Sequence, residues 1–416
     1  MKISIRNIIK FIIYYSTIMC ALVAELKLPS SIYYLNDLLM IVLFIYIVRK
    51  NFAKTFNRIQ FKFFNIWLAS LLLVISIGVV VNFVPIKLIL WGGRNTFRGL
   101  VFFTACIIFF KNEDVYTVLD AFVKIQIINI ILACYQFFVL GLKQDRLGGI
   151  FGHGNGSALC IFSCIICCYT LLIYLNKGEK LKETLLCFIS SIIIAALAEE
   201  KLLFIELATV VILAILLSRR SFKKWLIIPV FIAMFFLGFN VFERYFPDAI
   251  DTLLHFDLME DYLTASWEGS YFIPRLGAFS FISENLFNNN LFNILFGIGM
   301  GNAETSSFTF LQSDFYSQYG YMNYRWIFSQ WTIIETGILG LLLFIILFLA
   351  IILYLLVKRK KAYTSELCII DLSIITSVIC LMTMWTNTTL KVDTSYIAFF
   401  AISAGLIAIK CRLSEN

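Results

Sequence analysis

Followed for the spacing of apolar and polar positions, the chain is a succession of long apolar runs separated by short polar knots. Twelve runs of about 20 apolar residues, the length that crosses a hydrocarbon core, are centred near Tyr15, Leu43, Val74, Phe103, Ile128, Ile166, Ile193, Val210, Phe231, Phe344, Ile379 and Ala401. In lipid each backbone amide has to bond within its own segment, so each run predicts a helix. The fold class expected is therefore all-α: a polytopic membrane protein of about twelve transmembrane helices. Lys2, Arg6 and Lys10 ahead of the first run resemble the start of a secretory signal. No small-residue cleavage site follows and eleven more runs do, so a retained helix is expected.

The pattern changes between Val241 and Gln330. There PDAIDTLLHFDLMEDYL and RLGAFSFISENLF show helical spacing of apolar residues, and Gly297, Gly299 and Gly301 in LFGIGMGN predict a tight turn. The expected organisation is residues 1–240 with nine membrane helices, 241–330 as one large, partly helical loop, and 331–416 with the last three. No internal repeat is visible.

Composition agrees: 61% of the 416 residues are hydrophobic and 14% are charged, against about 25% charged in a soluble domain. A net charge of +8 raises nucleic acid as a partner. The basic residues, however, sit in short clusters between apolar runs, as topology signals do, so the bilayer and not nucleic acid is the expected partner. With the N-terminus inside, the cytoplasmic segments hold about twice as many lysines and arginines as the outer ones. Both termini are then cytoplasmic, in a cytoplasmic (inner) membrane, and the large loop is outside. The 11 cysteines avoid that loop, so no disulfide framework is expected. Cys164, Cys167 and Cys168 read as small buried hydrophobes and not as a metal cluster.

Chemistry is sought on the outer side. RLGGIFGHGNGS, residues 146–157, is a glycine-rich elbow opening a helix. Asn155 and Ser157 are N-cap residue types. Free amides at that helix start, together with Arg146, would make an anion site. Arg94 and Arg98 in WGGRNTFRG, Lys201 in AEEKLL, Arg275 in PRLGAF and Arg325 in YRW add cations against the positive-inside tendency, for which an anionic lipid substrate supplies a reason. His153, and with less support His255, are candidates for acid-base work by residue type. Glu284, in the helical stretch after Arg275, is the outer carboxylate of most interest. Asp120 and Lys124, spaced i,i+4, read as a local ion pair. Lys201 can pair with Glu199 or Glu200, and Arg94 can serve only to anchor at headgroup level.

The string R-L-G-G-I-F-G-H-G-N at Arg146–Asn155 resembles the elbow of the O-antigen polymerase and ligase family. So does the order that follows: Arg275 in a long outer loop, LFGIGMGN, then Glu335, Gly337 and Gly340 in an E-x-G-x-x-G helix start. The resemblance implies a GT-C-like integral-membrane glycosyltransferase, independent of metal and of other cofactors. Its expected substrate is a polyprenyl-diphosphate-linked oligosaccharide, with a chain-length regulator protein as a candidate partner. Arg146, Arg275, Glu284 and His153 become the candidate catalytic residues, with Arg146 and Arg275 on the diphosphate. Arg94, Arg98, Asn155, Lys201, Arg325 and Glu335 become candidate binding residues. Two departures stand out: Glu200 and Lys201 replace the Ser-Arg of many members, and YRWIFSQ has no histidine where ligases place one ahead of the E-x-G motif.

The expectation is thus a polymerase joining lipid-linked repeats into an O-antigen or capsular chain. A ligase is the nearest alternative, weakened by the missing histidine. A lipid-linked glycan flippase or other transporter is the alternative of a different class. It would be signalled by inverted repeats and broken helices, neither of which is visible in the sequence.

Overall fold

A helix apolar on every side has to be surrounded on every side. Gly156–Lys177 is such a helix: 94% of its apolar window is buried, and it stands at the centre of the bundle. Its cysteines, serine and alanine are small enough for neighbouring backbones to come close, which accounts for Cys164, Cys167 and Cys168 by packing.

The computed structural model describes residues 4–218, 223–247 and 272–415, with His255, Asp257, Leu258, Glu260 and Thr264 between them. In chain order the helices are α1 (Ile5–Leu26), α2 (Tyr34–Arg49), α3 (Phe52–Arg58), α4 (Phe63–Val81), α5 (Ile86–Phe109), α6 (Asn112–Phe138), α7 (Gly156–Lys177), α8 (Leu181–Ala198), α9 (Lys201–Leu217) and α10 (Lys223–Tyr245). Then come the short α11 (Ala278–Phe281), α12 (Leu291–Phe296) and α13 (Asp314–Tyr319), and the long α14 (Phe328–Arg359), α15 (Thr364–Thr383) and α16 (Ser395–Glu415). The protein is an all-α, multi-pass membrane protein. Ten described helices are long and apolar enough to cross a membrane, not twelve. The two expected runs outside that set are α5, which carries Lys87, Arg94 and Arg98, and α9, which has 17 residues. The expected helix in PDAIDTLLHFDLMEDYL falls almost wholly outside the described residues.

Helices α15 and α16 pack on each other and on α7, and α16 packs on α5, completing the core. Charged contacts mark the two ends of the bundle. At one end Lys10 meets Asp114 at 2.6 Å, Arg412 meets Glu366 at 3.3 Å, and Lys410 Nζ donates to the Ile107 and Phe110 carbonyls at 2.7 and 2.6 Å. Both described chain ends lie there. The segment 297–327 covers the other, which we call the loop end. Asp120, at the terminal end, departs from expectation: it pairs with Lys180 and accepts from the Tyr169 hydroxyl at 2.7 Å. Lys124 is exposed. Two donors from neighbouring elements outcompete one flexible lysine on its own helix.

The loop end is held by glycine. In 297–301 Gly297, Gly299 and Gly301 have φ of 72°, 90° and 96°, the turn that the sequence predicts. A Cβ on Gly297 would meet the Glu335 and Thr336 backbone, and one on Gly301 would meet Leu88 and Ile89. The turn therefore lies directly on α14 and α5. Helix α14 is continuous from Phe328 except at Gly337 (φ 67°, ψ −175°), where it breaks. So E-x-G-x-x-G is the second start of an interrupted helix, and a broken helix is present that the sequence reading did not see. The first amides of α14 are satisfied from outside: Phe328 N donates to Asn387 O and Ser329 N to Met384 O, both at 2.9 Å.

Gly337→Ala places a Cβ against the Leu295 carbonyl at a left-handed φ, whereas Gly141→Ala has a similar φ of 66° and nothing within 4 Å. Thermal unfolding in detergent should show Gly337→Ala losing about 1–3 kcal/mol and more than Gly141→Ala. Equal losses would mean that the close approach contributes nothing.

Candidate functional site

Helix α2 begins well below the loop end of α1. Asn36 Nδ2 lies 3.7 Å from Met19 Sδ, seven residues before Leu26, or roughly 10 Å at 1.5 Å per residue. Asp37 is thereby carried into the bundle. Arg94 and Arg98, one turn apart on α5, share a face toward it. Arg94 Nη1 donates to Asp37 Oδ2 at 3.1 Å, and its guanidinium lies 4.0 Å from the Trp91 ring centre. Arg98 has a side chain only 4% exposed; it stands 3.6 Å from Asp37 Oδ1 and pairs with Asp393.

Between these arginines Asn95 reaches onward, its Nδ2 donating to the Glu304 oxygens at 3.0 and 2.9 Å. Gly92, against which Gly301 packs, allows that approach. Arg325 Nη2 is 3.6 Å from Glu304 Oε2, and its guanidinium sits 4.6 Å from the Trp331 ring centre. Lys391 Nζ lies 4.3 Å from the same indole and pairs with Glu335, whose Oε1 accepts from Gly301 N at 2.9 Å. Four cations and four carboxylates from separate parts of the chain thus form one network. Burial and the nearby Glu335 push the Glu304 carboxyl up to about 7, against the pull of Arg325 and Lys391.

Hydrogen-bonding capacity in excess of protein partners gathers around this network. Among the described residues, Nε of Arg94, Arg98 and Arg325, Nε1 of Trp331, and the hydroxyl oxygens of Thr388, Thr389, Thr394, Ser395 and Tyr396 are buried without a hydrogen-bond partner. Buried polar atoms are ordinarily paired, so these groups retain hydrogen-bonding capacity for partners other than the protein.

Of the sequence candidates, Arg94, Arg98, Arg325 and Glu335 meet in this network. Arg275 flanks it: exposed, it follows Ile273 and Pro274, whose carbonyls accept from Gln330 Nε2 at 3.2 and 3.3 Å. Glu284 is exposed on the π-helical turn Ile282–Leu286. His255 is exposed.

The elbow lies elsewhere, against α1, α6 and α7. Arg146 is exposed there, and His153 Nε2 lies 3.1 Å from Glu25 Oε1 on α1. Asn155 occupies the N-cap position of α7 but does not cap it; its Nδ2 donates to Phe151 O at 2.7 Å. Ser157 lies within the helix. The start of α7 is not a free anion site either. A Cβ on Gly156 would overlap the Glu200 carboxylate, and Cys160 Sγ donates to Glu200 Oε2 at 3.6 Å. An internal carboxylate takes the place expected for an external anion. Lys201 Nζ lies 3.6 Å from Glu199, the structural pairing that the sequence allowed.

The sequence reading passed over Asp37, Asn95, Glu304, Asp393 and the role of Lys391. For Asp37 a signal existed: a carboxylate inside an apolar run is costly and seldom idle. Glu304 and Asp393 gave none, because only folding brings them beside arginines, and Asn95, though next to Arg94, gave none because only folding brings it to Glu304.

No protein-family model matches the chain, and no curated protein matches it.

Lys391 and Glu335 are almost fully buried. Lys391→Met should cost about 3–5 kcal/mol by leaving a carboxylate unpaired, and Lys391→Met with Glu335→Gln should restore most of it in thermal unfolding; additive losses would contradict the pairing. The Glu304 carboxyl, raised from 4.5 to about 7, holds its proton when folded and loses it when unfolded between those values. Stability should therefore fall by up to a few kcal/mol as pH rises from about 4.5 to 7, then level off. In Glu304→Gln, melting followed against pH should lack that decline.

Proposed function

We propose that the protein is an integral-membrane glycosyltransferase that joins polyprenyl-diphosphate-linked oligosaccharide repeats into an O-antigen or capsular polysaccharide. The loop end would face outward from the cytoplasmic membrane, with both termini cytoplasmic. The observation that carries the reading is the network of Arg94, Arg98, Arg325 and Lys391 with Asp37, Asp393, Glu304 and Glu335, parts of which lie below the loop end of α1. Ionisable groups at such depth mark substrate paths more often than scaffolding. Exposed Arg146 and Arg275 add the outer cations that the family resemblance assigns to the diphosphate.

In the reaction an acceptor sugar hydroxyl attacks the anomeric carbon of the donor. The bond from that carbon to the diphosphate oxygen breaks, the diphosphate leaves with the electron pair, and the hydroxyl proton passes to solvent or a base. Negative charge grows on the leaving group, and fixed guanidinium groups in a water-poor site stabilise it as it develops. Arginine offers two parallel donors to a phosphate, which lysine does not.

A transporter of lipid-linked glycan is favoured by one feature, the break of α14 at Gly337. Purified protein in detergent separates the two: without a sealed bilayer only an enzyme can lengthen lipid-linked glycan.

Because Arg146 and Arg275 are exposed, replacing either should leave folding intact. Arg146→Ala and Arg275→Ala should each lower polymerisation by about 10²–10³-fold, with Lys variants recovering part. A normal glycan ladder at normal protein level in both would overturn the reading.

A further inference from the structure

A cavity of about 700 Å³ opens on the side of the bundle between α2, α4 and α5. Its walls are apolar: Met40 and Phe44 from α2, Leu68 and Leu72 from α4, Leu90 and Phe97 from α5. Phe44, Leu72 and Leu90 are 53%, 45% and 72% exposed, so the cleft opens laterally, onto what would be lipid. Its polar lining is confined to Asp37, Arg94, Arg98 and Thr104. Asp37, Arg94 and Arg98 stand at the end nearer the loop. From Asp37 the cleft runs along α2 to Ile47, ten residues or roughly 15 Å of helix, about half the thickness of a hydrocarbon core.

This is the shape of a receptor for one extended hydrocarbon chain with an anionic head. Two things on the protein point to the head. Arg98 is 95% buried by the complement of its 5% exposure, lines the cleft, and keeps its Nε without a protein partner, as does Arg94. The arginines also stand, with Asp37, at the head of the apolar cleft, so a phosphate that meets them there carries a hydrocarbon chain along the walls of the cleft. Neither Arg146 of the elbow nor Arg275 lines the cleft.

We propose that this cleft holds the polyprenyl chain of a lipid-linked substrate, its phosphate engaging Arg94 and Arg98, at a site distinct from the elbow. The role in chain growth rests on the glycosyltransferase reading: joining two lipid-linked repeats requires two lipid chains on the protein at once, and a second lipid site answers that requirement. The lipid binding itself does not depend on that reading.

The probe is a polyprenyl diphosphate bearing a diazirine on its chain, crosslinked to the full-length protein in phosphatidylethanolamine nanodiscs and mapped by peptide mass spectrometry. Label should fall on residues 40–47, 64–72 and 90–101. It should be displaced by unlabelled polyprenyl phosphate and not by an equal excess of phosphatidylglycerol. Leu72→Trp should reduce labelling at least about tenfold by filling the cleft, while Ile128→Trp on exposed α6 surface should leave it unchanged. Label confined to other helices, equal displacement by phosphatidylglycerol, or indifference to Leu72→Trp in protein that melts normally would each overturn the proposal. Cleft labelling in a protein that makes no polymer in detergent would uphold the lipid site and defeat the enzyme reading; polymerisation without cleft labelling would do the reverse.

Discussion

A charge removed from water has to find its opposite, and the loop end of this bundle is arranged around that requirement. Asp37, Arg94, Arg98 and Asp393 lie among membrane helices, and Glu304, Arg325, Glu335 and Lys391 continue the same alternation beneath the loop. Each member is tolerable only because its neighbour is present, since an unpaired buried ion costs several kcal/mol. The arrangement couples segments remote in the chain. Asn95 on α5 bridges Arg98 to Glu304, and Gly301 next to Glu304 binds Glu335 on α14. A movement of any one element disturbs the partners of the others.

Glycine makes the pairing geometrically possible. Gly297 and Gly337 let the 297–301 turn lie on the interrupted α14, and Gly92 and Gly301 let it lie on α5. Side chains at those positions would hold the backbones apart and leave Glu304 short of Asn95. Backbone contact of this kind also explains the break in α14: the chain leaves helical geometry at Gly337, where the Leu295 carbonyl occupies the space of a side chain.

The same arginines face two environments. Asp37, on α2, pairs with both Arg94 and Arg98, and Asp393 pairs with Arg98; together with Asp37 the arginines close the upper end of an apolar cleft between α2, α4 and α5. At the elbow the start of α7 is likewise covered by a carboxylate, that of Glu200.

Apolar run lengths alone determined that the chain is a helical membrane bundle, because lipid leaves the backbone no other economical way to satisfy its amides. The LFGIGMGN turn was equally legible, since a glycine triplet acts locally. What the tertiary structure decided is which charges meet. Arg94, Arg98, Arg325 and Glu335 converge while Arg146 stays exposed at the elbow, Asp120 turns to Lys180 instead of Lys124, and Asn155 bonds back to Phe151 instead of capping. Pairing between helices depends on their relative height and rotation, set by packing over the whole bundle, and no spacing along one helix encodes it.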